Sequence, residues 1–117
     1  MNNKETSNFC PIRDVLSRVG DKWSMLVMMT IYRGETMRFK EINREIPDLS
    51  EKVLTSTLRA LESDGYLSRK IYPQVPPKVE YKLTDMGKSL VPLLQNLVDW
   101  ALNQGNQIIM NREQKSS

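Results

Sequence analysis

The stretch from Arg38 to Gly65, RFKEINREIPDLSEKVLTSTLRALESDG, permits few folds, because it holds two short helical patterns divided by one tight break. In the first, Phe39, Ile42 and Ile46 recur at helical spacing and leave Lys40, Glu41, Arg44 and Glu45 on the outer face. Pro47 closes that helix, since a proline ring cannot sit deep in a helix and biases its predecessor away from the α region. Asp48 and Leu49 make the turn. Ser50 is a good N-cap for the next helix, and Glu51 suits the positive end of its dipole.

The second helix, over about residues 50–63, carries Leu54, Leu58 and Leu61 on one side, and Asp64-Gly65 supplies its stop. Lys52, Thr55, Ser56 and Arg59 fall largely on the other side, a short-chained, hydrogen-bonding and basic face. Such a face can enter a DNA major groove and reach base edges and phosphates. An ordinary solvated helix face looks the same. The segment alone does not decide between them.

Residues 66–83 tip the balance. Tyr66, Leu67, Ile71 and Tyr72 lie in one strand-like run, and Val79, Tyr81 and Leu83 alternate in a second. The stiff tip Pro73-Gln74-Val75-Pro76-Pro77 between them cannot continue a ladder. This is a β-hairpin over about residues 66–83, with Arg69, Lys70, Lys78 and Lys82 on or beside it. Lysines on a hairpin also protect strand edges. Yet two helices and then a basic hairpin is the winged helix-turn-helix order, with the hairpin placed along the phosphate backbone.

Charge in bulk adds little. With 17 basic and 14 acidic residues the net charge is +3, and residues 38–82 hold nine Lys/Arg against seven Asp/Glu. Placement rather than total must carry any nucleic-acid argument. At 117 residues the chain makes one domain with a modest core. Its one cysteine rules out an intrachain disulfide and fits a reducing compartment. No signal-peptide layout opens the chain, and no apolar run approaches the ~20 residues that span a bilayer. A cytoplasmic protein without a membrane partner is the expectation.

Upstream, residues 1–8 read as a flexible polar tail. Cys10-Pro11 then opens a short helix with proline at its first position, where the missing N–H costs nothing. Ile12, Val15, Leu16 and Val19 form its stripe, and Gly20 ends it. Asp21 can cap a second helix, DKWSMLVMMTIYRG, that is apolar on most sides and therefore central. Its methionines suit an irregular core, or an adaptable pocket. Downstream, Thr84-Asp85 caps a long helix with Leu90, Leu93, Leu94, Leu97, Val98, Ala101 and Leu102 on one broad face, joined by Trp100. Pro92 should kink or restart it. That face needs cover, and a second copy of the chain is the economical answer. The ordered domain is placed at residues 9–105, and 106–117 form a helix extension or a C-terminal tail.

As a set, these motifs strongly resemble the HxlR-type (MarR-like) bacterial transcriptional regulators. The likeness rests on GDKW at Gly20 to Trp23, Arg38-Phe39, and the pattern Ser50, Leu54, Leu58, Leu61 ending in Asp64-Gly65-Tyr66. It continues through Arg69, PPKVEYKLT at Pro76 to Thr84, then Gly87, Leu90, Pro92, Leu93 and Trp100. The resemblance implies an α+β, mostly α, winged helix-turn-helix with a two-stranded wing and added N- and C-terminal dimerisation helices. It implies a homodimer on double-stranded operator DNA, and places Ile12, Leu16, Leu94, Leu97, Trp100 and Ala101 at the dimer interface. Family members often carry a cysteine where Cys10 stands, and in some it senses oxidants or electrophiles. The other cysteines that some redox-sensing relatives use are missing here, which disfavours a two-cysteine switch.

Two readings of Cys10 stay open. A thiol at a helix N-terminus ionises more readily and reacts as the thiolate; a small, partly buried apolar residue reacts with nothing in particular. For DNA, the expected contacts are Ser50, Lys52, Thr55, Ser56 and Arg59 in the groove, Arg38 and Lys40 on phosphates, and Lys70 and Lys78 from the wing. The competing function is a winged-helix protein-interaction module without DNA binding. An enzyme is not expected: there is no histidine, no phosphate-cradling loop, no zinc spacing and no nucleophile motif. No cofactor or metal is expected either.

Overall fold

The computed structural model of the chain describes the backbone of residues 3–116 and the side chains of residues 11–115. Eight elements run in order: α1 (Asn3–Val19), α2 (Lys22–Gly34), β1 (Thr36–Met37), α3 (Phe39–Glu45), α4 (Glu51–Ser63), β2 (Leu67–Tyr72), β3 (Lys78–Leu83) and α5 (Asp85–Ser116). No helix is long and apolar enough to cross a membrane among the described residues.

Helix α2 is the centre of the fold. Val27, Met28 and Ile31 are fully buried, and the helix packs against α1, α3, α4, α5, β1 and β3. Asp21 caps it as expected, its carboxylate accepting from the Ser24 amide at 3.0 Å. Met28 fills the core, and Met29 lies at its edge, where it borders a small cavity with Tyr32, Val91 and Pro92. Ile42 from α3 and Leu54, Leu58 and Leu61 from α4 complete the interior. Truncating any of these leucines to alanine costs about 2–5 kcal/mol on typical core behaviour.

The sheet has three strands in the order β1-β3-β2, all antiparallel. The hairpin itself runs in register from Leu67 opposite Leu83 to Tyr72 opposite Lys78. At its base the two-stranded wing is joined by a third strand, as Thr36 and Met37 pair with Lys82 and Tyr81 of β3. A two-residue strand is too short to show alternation, so its sequence carries no period-2 signal.

Two helix boundaries also differ from expectation. Helix α1 begins at Asn3 and Pro11 sits inside it, so Pro11 does not occupy the first turn. A proline removes one helical donor and bends the chain, and here the helix continues on both sides of it. Helix α5 likewise runs unbroken through Pro92 and Gly105 to Ser116, without a restart or a break at the glycine.

A compact joint links α4 to α5. The Tyr66 amide donates to the Leu61 carbonyl at 2.9 Å and the Gly65 amide to Glu62 at 3.0 Å, a Schellman stop. Gly65 takes φ +90°, which a Cβ would penalise. The Thr84 hydroxyl then donates to the Gly65 carbonyl at 2.6 Å and accepts from the Gly87 amide at 3.2 Å. Thr84 thus caps α5 and holds its start against the end of α4.

Candidate nucleic-acid interface

The turn between α3 and α4 is fixed from both sides. Glu41 reaches back to accept from the Arg38 amide at 2.8 Å, securing the start of α3. Asn43 donates from Nδ2 to the Leu49 carbonyl at 2.9 Å, and Leu49 is buried beneath the turn. Ser50 caps α4, its Oγ accepting from the Val53 amide at 3.2 Å. Its side chain therefore serves the helix first. A serine cap of this kind typically contributes ~1 kcal/mol.

Helix α4 buries Leu54, Thr57, Leu58 and Leu61 and exposes a stripe of Lys52, Ser56, Arg59 and Ser63. Thr55 is half-buried and donates its hydroxyl to the Glu51 carbonyl at 2.8 Å; Ser56 donates to the Val53 carbonyl at 3.0 Å. Both hydroxyls keep acceptor capacity toward the outside. Ser63 extends the stripe by a turn; the sequence places it within the helix but does not single it out as a contact.

Electrostatics sharpen the face. Arg69 Nε lies 3.4 Å from Glu62, Arg18 Nε lies 2.6 Å from Asp64, and Lys78 Nζ lies 3.3 Å from Glu80. Glu62, Asp64 and Glu80 are thus matched by basic partners, while Glu51 in the first turn of α4 has none among the described residues. Lys52 and Arg59 have no such partner among the described residues, and neither do Arg38 and Lys40. A bulk charge near neutrality hides a cationic stripe. None of this pairing is visible in composition.

The wing tip is a small cluster around Tyr72. Its phenol donates to Glu80 at 2.8 Å, and Lys70 and Lys78 sit 4.9 Å and 4.8 Å from its ring centroid. The Tyr72 hydrogen bond, then the adjacent Lys78, hold the Glu80 carboxyl below its ordinary pKa. At the wing base, burial raises the Tyr81 phenol above its ordinary value. Lys70 and Lys78 are therefore brought together at one tyrosine, and Lys78 is shared with an acid of its own strand.

The terminal helices carry most of the exposed apolar surface. Ile12, Val15 and Leu16 on α1 and Leu93, Leu97 and Trp100 on α5 are all at least half exposed. Ala101 is exposed beside them. Leu94 differs: at 4% exposure it belongs to the core of its own chain, because the broad stripe of α5 packs inward as well as outward. The Cys10 thiol lies outside the described side chains. Its backbone lies within α1 rather than at its start, so the helix N-terminus invoked to lower the thiol pKa is not at that position. Among the described residues no group of histidine, cysteine, aspartate or glutamate is arranged to hold a metal ion.

Comparison with known proteins agrees with this geometry. The family model of HxlR-like helix-turn-helix proteins matches residues 18–109. An HTH-type transcriptional regulator of Methanothermobacter thermautotrophicus is 45% identical over 97 residues, covering 83% of this chain and 73% of its own length. The solved structure of the transcriptional regulator ytfH from Salmonella typhimurium superposes with a TM-score of 0.78 at 40% identity, covering 88% of this chain and 91% of that one. The reduced form of the redox regulator HypR gives a TM-score of 0.77 at 35% identity, covering 86% and 98%. The chain belongs to the HxlR-like helix-turn-helix family of transcriptional regulators.

Proposed function

We propose that this regulator acts as a homodimer on sequence-specific operator DNA, with α4 in the major groove and the β2–β3 wing along the backbone. The observation that carries the reading is the exposed stripe of Lys52, Ser56 and Arg59. Its two cations form no ion pair among the described residues, while Glu62 and Asp64 at the end of the helix are each paired with an arginine. Arg59 and Lys52 reach base edges or phosphates, and Lys78 and Lys70 add backbone contacts from the wing. The apolar faces of α1 and α5 meet a second copy through Ile12, Leu16, Leu97, Trp100 and Ala101, with Leu94 supporting them from below. Such a dimer sets two α4 helices against half-sites about one helical turn of DNA apart.

An electrophile response through Cys10 belongs to the same reading. It is supported by the cysteine's place in the family pattern and by the likeness to a protein described as a redox regulator. The Cys10 thiolate adds to a ring carbon of a quinone: the S–C bond forms as a ring C=C π bond breaks, and one carbonyl oxygen takes a proton from water. The proton on the attacked carbon is transferred through water to the other oxygen, giving a hydroquinone thioether. A group of that size on α1 alters the spacing of the two α4 helices.

Fluorescence anisotropy with DNA flanking the protein's own gene, at two salt concentrations and with or without a mild quinone, tests both parts. Tight, salt-sensitive binding lost on quinone addition, and kept in Cys10→Ser, supports regulator and sensor together. Binding that ignores the quinone removes the sensor. Selection from random DNA that enriches no sequence would favour the protein-interaction reading instead.

A further inference from the structure

A cavity of about 630 Å3 opens where α2 ends, far along the chain from the α4 stripe. The buried Ile31 and Leu83 stand in its wall, together with the half-exposed Tyr32 and with Thr36. Its rim is cationic. Arg33 comes from the last turn of α2, Lys82 from β3 and Lys88 from the first turns of α5. None of the three side chains forms an ion pair or a hydrogen bond with another described residue. Glu35 is the one carboxylate in the lining, so three positive charges face one negative charge. Within the lining that leaves an excess of two positive charges.

Glu35 also has φ +66° and ψ −65°, a conformation that L-residues rarely adopt. Non-glycine residues held in such regions concentrate at ligand clamps and switch segments. The cavity's volume lies within the range of small-molecule sites. Its concavity argues against duplex DNA as the occupant, because a phosphate backbone is convex and is met by protruding cations such as Lys52 and Arg59.

We propose that this cavity binds a small organic anion carrying two or more negative charges, held by Arg33, Lys82 and Lys88. Guanidinium and ammonium donors from three elements form charge-assisted hydrogen bonds to carboxylate or phosphate oxygens. Occupancy draws β3 toward α2 and α5, so the anion changes how the wing is set against the long helix. The resulting change in operator affinity rests on the DNA-binding reading; the binding of the anion does not.

The test is calorimetric titration of the full chain, without DNA, with citrate and separately with pyrophosphate at constant ionic strength. Wild type is compared with Lys82→Ala/Lys88→Ala and with the charge-matched control Arg13→Ala/Lys115→Ala, each checked for folding by circular dichroism. Saturable binding of either probe is expected, weakened tenfold or more in the first pair and unchanged in the control. Absence of saturable binding with both probes overturns the proposal, as does an equal loss in both pairs, which would mark diffuse charge attraction. Lost DNA affinity in Lys82→Ala/Lys88→Ala with anion binding intact would also overturn it, marking these lysines as backbone contacts. Anion binding as expected in a protein that selects no DNA keeps the site and removes the DNA-binding reading alone.

Discussion

Arg18 Nε donates to Asp64 Oδ2 at 2.6 Å, joining the last turn of α1 to the residue that caps the C-terminus of α4. Both side chains are partly exposed, at 42% and 32%, so solvent screens the pair. A double-mutant cycle of Arg18→Ala and Asp64→Ala, read by urea denaturation, should give a coupling of about 0.2–1 kcal/mol. A coupling of several kcal/mol would mean the pair holds α4 in place rather than trimming its position.

Arg59→Ala and Lys78→Ala should fail differently on DNA. Loss of a base-reading arginine costs about 1–3 kcal/mol and relaxes preference at one position. Loss of a phosphate contact weakens all sequences alike and shallows the salt slope by about 1. Lys78 is already shared with Glu80, so its slope change should be the smaller part of that. Anisotropy on a set of single-base operator variants across salt checks both. A uniform loss for Arg59→Ala would reassign it to the backbone.

Gly87 faces the turn that ends α4, and a methyl group there would run into the Tyr66 carbonyl oxygen, which belongs to backbone that cannot swing aside. Gly87→Ala should therefore destabilise the fold by about 1–3 kcal/mol. Thermal unfolding monitored by circular dichroism reads this directly. An unchanged melting temperature would show that the α4–α5 joint yields.

Glu80 offers a pH test. Its folded pKa is depressed, first by the Tyr72 hydrogen bond and then by Lys78. A depressed acid contributes stability that is present above the unfolded value and disappears as pH falls through the folded value. Carbon-detected NMR titration should place the Glu80 midpoint below that of an ordinary glutamate. Tyr72→Phe, which keeps the ring and removes the donor, should move the midpoint up. An unmoved midpoint would leave Lys78 as the cause.

Much of the fold was legible because it is written locally. Ser50, the Leu54/Leu58/Leu61 spacing and Asp64-Gly65 each declare one part of α4, and the structure places all of them as read. The misread points are those where a local cue lost to a wider context. Pro11 looks like a helix start in isolation, yet α1 continues upstream of it. Leu94 sits on the same stripe as Leu97, and only packing separates a core residue from an exposed one. The charge pattern around α4 depends on partners such as Arg18 and Asp64, 46 residues apart, which no window of sequence can join.

The hydroxyl bridge from Thr84 to Gly65 sets the base of a 32-residue helix against the end of α4. A helix of that length spans about 48 Å at ~1.5 Å per residue. Pivoting it by about 5° at its base would carry the far end some ~4 Å, by the same geometry. The joint is thus the short arm of a lever. Any contact that leans on the distal turns of α5 is delivered, reduced in amplitude, to the angle at which α4 is presented.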